Sequence, residues 1–110
     1  QKLSNLIVII DYNRQQAFGY TKEVLDLAPL VKRWKAFGWD AQEVNGHDIK
    51  EMAKKIKALN TKKGKPHVLV ANTIFGKGVS FMENKIKWHY VSMSAQEYKQ
   101  ALNEINGFSL

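Results

Sequence analysis

The residues best suited to chemistry are Asp11 and Asn13, at the end of the run Asn5-Leu6-Ile7-Val8-Ile9-Ile10-Asp11-Tyr12-Asn13-Arg14-Gln15. An apolar segment stops at a carboxylate, and an amide follows two residues on. Open α/β folds bind ligands at the carboxyl edge of their parallel strands, and a strand ending this way delivers oxygen ligands to that edge. A hard cation such as Mg²⁺ takes such oxygens, a few from the protein and others from substrate phosphates. The side chain of Asn13 and a backbone carbonyl two residues on can supply two from one short loop. The same residues also suit a plain turn after a strand, and spacing alone favours the turn.

Two other stretches carry polar or flexible groups of interest. Thr73-Ile74-Phe75-Gly76-Lys77-Gly78 places two glycines where backbone can approach a ligand closely. It lacks the longer glycine spacing and the Ser or Thr of a nucleotide-triphosphatase phosphate loop, so alone it reads as a turn. Trp88-His89 offers a histidine for proton transfer or for holding a phosphate, or simply an exposed loop histidine beside an aromatic anchor. His47 sits in a turn and His67 opens a strand, and the three histidines show no short metal-ligand spacing. No Ser-His-Asp arrangement suggests itself. Asn13, Gly76, Gly78 and His89 all follow predicted parallel strands on one edge, and that convergence outweighs any single signal.

The elements that must position these residues are readable from periodicity. Leu6 to Ile10 is continuously apolar and β-branched, which predicts a strand covered on both faces. Gln15 to Thr21 reads as a polar loop containing Gly19. Leu30, Val31, Trp34 and Phe37 recur at helical spacing behind Pro29, and Gly38 suits the helix end. Trp39 to Val44 predicts a second strand. Asp48 and Glu51 form a capping box before the stripe Ile49, Met52, Ala53, Ile56 and Leu59, with Gly64 and Pro66 at the helix exit. His67 to Thr73 predicts a third strand, and Phe75 to Val91 a long loop. Ser94 and Glu97 form a second capping box, opening a helix to about Asn106 that Gly107 stops.

Strands alternating with helices imply a parallel sheet. Three such strands are too few to stand comfortably alone. The fold class expected is therefore α/β, as part of a larger doubly wound parallel sheet or of an obligate assembly.

Composition narrows the function classes. A chain of 110 residues suffices for one small domain. It has no cysteine, which excludes disulfides, thiolate metal sites and a cysteine nucleophile. Net charge is +7, with lysines gathered between Lys54 and Lys65. That stretch reads as a helix end and its exit, where lysines suit the helix dipole. No nucleic-acid motif accompanies it, so nucleic acid is not an expected partner. No apolar run reaches the ~18 residues of a membrane span, and no signal peptide is recognisable. The first residue is Gln1, not an initiator methionine, so the stretch can start inside a longer product.

Four stretches together resemble a known family. They are Asn5 to Asn13, Trp34 to Trp39, Glu43 to Asp48, and Thr73 to Asn84, the last completed by Trp88-His89. In this order they resemble the later part of the thiamine-diphosphate-binding domain of transketolases. They are similar in particular to the N-terminal subunit of two-chain transketolases. The resemblance implies a domain assignment of residues 1–110 to the C-terminal part of that binding domain. It implies thiamine diphosphate and Mg²⁺, or another divalent cation, as cofactors. Asn13 matches the family's side-chain metal ligand. Gln15 matches a position that gives a backbone carbonyl to the metal. His89 matches the histidine near the diphosphate and the donor sugar.

The resemblance also implies what lies elsewhere. The family's Gly-Asp-Gly motif, its earlier histidines and its activating glutamate have no counterpart in these residues. The implied partners are a C-terminal transketolase subunit or the remaining half of the domain, within a dimer or hetero-oligomer, and a phosphorylated sugar. The implied activity is transfer of a two-carbon ketol unit between sugar phosphates, in the cytoplasm, with little expected of the isolated chain. Phe75 stands where many transketolases place a lysine. Two alternatives go with the same residues: another thiamine-diphosphate enzyme, such as a deoxyxylulose-phosphate synthase, or a degenerate, non-catalytic interaction module.

Overall fold

Five of the six residues of His67–Asn72 are buried, and the sheet is built around that strand. A computed structural model describes residues 2–59 and 63–107. In chain order the elements are β1 (Ile7–Tyr12), β2 (Gln15–Gln16), β3 (Gly19–Tyr20), α1 (Thr21–Val24), α2 (Leu30–Ala36), β4 (Asp40–Asn45), α3 (Ile49–Leu59), β5 (His67–Asn72), a turn of 3-10 helix (Ile86–His89) and α4 (Ala95–Gly107). They fall into two units: residues 1–13 with 26–73, and residues 14–25 with 74–110.

The first unit holds a three-stranded parallel sheet in the order β1-β5-β4. Its register is level. Ile7 and Asp40 both pair with His67, and Tyr12 and Asn45 both pair with Asn72. Residues that follow the three strands therefore start from one edge. Side chains alternate across a strand. Leu69 and Ala71 on one face of β5 pack with Val44 and Leu59, and Ile7, Met52 and Ile56 lean on that cluster. Val68 and Val70, on the opposite face, are buried as well. Each such aliphatic side chain contributes about 1.5–3 kcal/mol when withdrawn from water.

The expectation that β1 is covered on both faces needs correction. β1 is an edge strand of the described sheet, and Ile9 is 48% exposed. The doubly covered strand is β5. Both runs are apolar and β-branched, so composition could not rank them.

Local signals set the helix starts. Asp48 accepts the backbone N–H of Glu51 at 2.8 Å, as the first capping box requires. Lys55 reaches the Glu43 carbonyl at 2.7 Å and the Glu51 carboxylate at 3.4 Å. The expected lysine-rich exit of α3 includes Lys62, which lies outside the described residues.

The second unit contains a hairpin where a plain loop was expected. β2 and β3 pair antiparallel, Gln15 opposite Tyr20. The Thr21 N–H donates to the Arg14 carbonyl at 2.9 Å, and the Tyr20 hydroxyl donates to the Asn84 carbonyl at 3.2 Å. The loop after β5 is irregular but densely bonded. Val79 N–H donates to Gly76 O, Met82 N–H to Val79 O, and Asn84 N–H to Phe75 O, at 2.8 to 3.2 Å. Ser80 donates its backbone N–H and, at 2.8 Å, its hydroxyl to Glu104 of α4.

The second capping box opens α4 in both directions. Ser94 gives its N–H and hydroxyl to Glu97 at 2.8 Å each, and Glu97 N–H returns to the Ser94 hydroxyl at 3.2 Å. The helix runs through Gly107 rather than stopping before it.

The backbone and side-chain bonds from Ser94 hold the Glu97 carboxyl below its ordinary value. A carboxyl with a depressed folded pKa stabilises the fold while ionised. That contribution is present above its unfolded pKa and fades as pH falls through the folded one. The first turn of α4 should accordingly open on acidification. NMR of the Glu97 side chain should show a midpoint below that of a free glutamate, and Ser94→Ala should raise it. An unshifted midpoint in the native protein contradicts the box.

Candidate functional site

The level register fixes what stands at the carboxyl edge of the sheet. Asp11 is still within β1, and its carboxylate accepts the hydroxyl of Thr73, which follows β5. It ties two neighbouring strand ends, a role visible only once β1 and β5 are known to be adjacent. Asn13 is the first residue past Tyr12 and is half-buried.

Asn13 closes the first unit, and Arg14 opens the second. Arg14 has φ 63°, the left-handed region. A residue with a side chain spends roughly 1–2 kcal/mol to sit there, and such strain gathers at ligand clamps and tight turns. Gln15, in β2, has a buried side chain at 8% exposure, so what it can offer a ligand is main chain.

In the second unit, the Gly-Lys-Gly turn satisfies its own donor. Gly78 N–H donates to the Glu83 carboxylate at 3.1 Å, and Lys77 Nζ lies 3.3 Å from the same oxygen. This is the turn reading of those glycines. Gly76 has φ 69° and lies against Met82 so closely that a methyl group has no room.

His89 ends the 3-10 turn. Its ring stacks on Phe75, centroids 4.4 Å apart with planes 24° from parallel. Trp88 beside it is anchored, as expected: Nε1 donates to the Phe81 carbonyl at 3.0 Å, and the two rings lie 5.3 Å apart. Lys87 Nζ sits 4.5 Å over the Trp88 ring. The Phe75–His89 pairing was not anticipated. No local pattern announced it, because the two rings stand near opposite ends of an irregular loop.

The remaining histidines stay out of the site. His47 is exposed, and its backbone N–H donates to Asn45 Oδ1 at 3.0 Å. His67 is 1% exposed, with Nδ1 3.3 Å from the Asp40 carboxylate but not aligned for a hydrogen bond. His67 and Asp40 both begin their strands, so they lie at the amino edge, opposite Asn13. No cluster of three or more metal-ligating side chains occurs among the described residues. No helix there is long and apolar enough to cross a membrane.

Comparison with known proteins places the chain. Residues 1–109 match the family model described as "Transketolase, thiamine diphosphate binding domain". The chain is 42% identical over 105 residues to one subunit of the apulose-4-phosphate transketolase of Phocaeicola vulgatus, covering 96% of this chain and 37% of that protein. It is 38% identical to a 6-deoxy-6-sulfo-D-fructose transketolase subunit of a Clostridium species, covering 96% of this chain and 38% of that protein. Among solved structures, the transketolase of Campylobacter jejuni superposes with TM-score 0.86 at 27% identity, covering 96% of this chain and 16% of that one. The chain thus spans well under half the length of these relatives. The parallel α/β sheet with its Asn13 edge and its Gly-Lys-Gly to Trp-His loop belongs to the transketolase family, within its thiamine-diphosphate-binding domain.

Proposed function

We propose that this chain is the later part of the thiamine-diphosphate-binding domain of a two-chain transketolase, and that the whole enzyme moves a two-carbon ketol unit between phosphorylated sugars. The single observation that supports this most is the strand end at Asn13. A polar ligand there leads straight into a left-handed residue at Arg14 and a buried Gln15 side chain. The donors are an amide oxygen and a main-chain carbonyl, both hard, and they fit a Mg²⁺-diphosphate group. When bound, thiamine diphosphate supplies an electron sink for the carbanion left as the ketose is split.

In this reading the residues of the chain divide the work. Asn13 offers its side-chain oxygen to the cation, and Gln15 its carbonyl. The Asp11–Thr73 bond ties the ends of β1 and β5, just before Asn13 in the chain. His89 faces the donor sugar, able to hold a phosphate oxygen or pass a proton through its imidazole nitrogens. The other ligands come from the remaining half of the domain, and a C-terminal partner chain completes the site. The names of the relatives include one sugar phosphate and one sulfo sugar. Both carry an anionic group, which suits a phosphorylated substrate here.

The test uses the whole protein that carries this stretch, together with its partner subunit. A ketose phosphate and an aldehyde acceptor should yield an aldose two carbons shorter and a ketose two carbons longer. Turnover should require both thiamine diphosphate and Mg²⁺. Turnover without thiamine diphosphate, or donor cleavage with no lengthened acceptor in any pairing, overturns the proposal.

A further inference from the structure

We infer that Phe75 is a positioning residue for His89, fixing the plane of the imidazole that works on the donor sugar. The inference deepens the proposed function and rests on its assignment of His89.

The geometry starts from the loop. Residues 74 to 91 form no strand, and only one 3-10 turn, so little regular structure holds His89 in place. Phe75 is itself tied into the loop through its backbone. Asn84 N–H donates to the Phe75 carbonyl at 3.0 Å, in the backbone of the same residue whose ring meets His89. Trp88, pinned through Nε1 to Phe81, fixes the backbone next to His89. What remains free is the rotation of the His89 side chain itself. His89 is exposed, and exposed side chains change rotamer on a picosecond-to-nanosecond scale.

The stack removes that freedom. At 4.4 Å and 24° the face of the imidazole lies on the half-buried Phe75 ring. Both imidazole nitrogens lie on the ring edge, and among the described residues neither makes a hydrogen bond. The edge is thus presented while the face is held. Holding a reacting group within a narrow range of orientations is itself a large part of catalysis. An aliphatic side chain at residue 75 fills space but offers no plane to match.

The variants are Phe75→Leu, Phe75→Tyr, His89→Ala and the double variant Phe75→Leu with His89→Ala, all in the whole enzyme with its partner. Leucine keeps apolar volume, so the fold has little reason to fail, and tyrosine keeps the ring. Two readouts apply: the imidazole proton resonances of His89, and kcat against KM for the ketose donor.

In Phe75→Leu the His89 resonances should move downfield as the ring current is lost. In that variant kcat should fall by about 10- to 100-fold, the scale at which a misplaced group costs rate, with a smaller change in KM. Phe75→Tyr should restore both. On the His89→Ala background, Phe75→Leu should cost little more, because residues acting through one another are not additive.

Unmoved His89 resonances in Phe75→Leu overturn the proposal. So does an undiminished kcat, or a full additive loss in the double variant, which would mark Phe75 as merely structural. If His89→Ala alone leaves turnover intact, the assignment of His89 fails, and the positioning role falls with it. The ketol-transfer assay of the native enzyme then tells separately whether the functional reading stands.

Discussion

Gly76→Ala should destabilise the second unit by about 2–5 kcal/mol, more than any other single methyl added to the Gly-Lys-Gly turn. Two costs combine. At φ 69° the residue is in the left-handed region, which costs a non-glycine residue roughly 1–2 kcal/mol. The added methyl would lie 2.7 Å from both Cβ and the carbonyl oxygen of Met82, and 2.8 Å from its carbonyl carbon. Two of those three atoms are backbone, which cannot swing aside as a flexible side chain does.

Met82 is also held from both sides. Its N–H donates to Val79 at 2.8 Å, and its carbonyl accepts Lys85 N–H at 3.0 Å. Overpacking of that kind adds about 1–3 kcal/mol. Gly78→Ala is the control. Gly78 has φ 94° but open space around it, so it should incur the backbone cost alone. Small domains hold only about 5–15 kcal/mol in total, so the difference is readable in a denaturation midpoint. Amide exchange should show Asn84 losing protection in Gly76→Ala and keeping it in Gly78→Ala. Equal midpoints for the two variants would refute the steric argument.

The same pair shows what a sequence can and cannot say. Two glycines near a strand end suggested backbone approach to a ligand, or a plain turn. One approaches Met82 of its own loop, and the other gives its N–H to Glu83. The capping boxes at Asp48 and Ser94 were legible because donor and acceptor are three residues apart. β1 and β5 were legible as short apolar runs closed by polar residues, whereas β4 is less apolar and carried a weaker signal.

Their order was not legible. Leu6–Ile10 and Val68–Ala71 differ little in composition, and only the pairing of distant segments makes β5 central and leaves Ile9 exposed. The hairpin at Gln15–Tyr20 was hidden for a different reason. Its strands are two residues each, and the connecting Ala17-Phe18 lacks the asparagine or glycine that marks tight hairpins. The tie between Asp11 and Thr73 spans 62 residues of chain, beyond any local pattern. Asn13, Gln15 and His89 were named from the resemblance. Phe75 was marked only as a departure from it, because a stack between loop ends cannot be read from residue types.

Asn13→Ala should raise the Mg²⁺ concentration needed for half-maximal turnover by on the order of 100-fold, the upper end of what losing even an indirect metal contact costs. The Asp11 carboxylate is engaged by Thr73, and the Gln15 side chain is buried. In the proposed site the side-chain oxygen for the cation is that of Asn13. Mg²⁺ keeps few protein ligands and demands near-ideal octahedral geometry, so a lost oxygen is poorly replaced.

Two further variants make the prediction specific. Asn13→Asp keeps an oxygen in place, and should hold the Mg²⁺ requirement much nearer the native one than alanine does. His89→Ala should leave that requirement unchanged while lowering kcat, because the proposed function assigns it to the sugar. The measurement is a Mg²⁺ titration of ketol transfer at saturating thiamine diphosphate, in the whole enzyme with its partner. An unchanged Mg²⁺ midpoint in Asn13→Ala would remove Asn13 from the metal site. The same midpoint shift in His89→Ala would instead mean that the two residues answer to one common disruption of the fold.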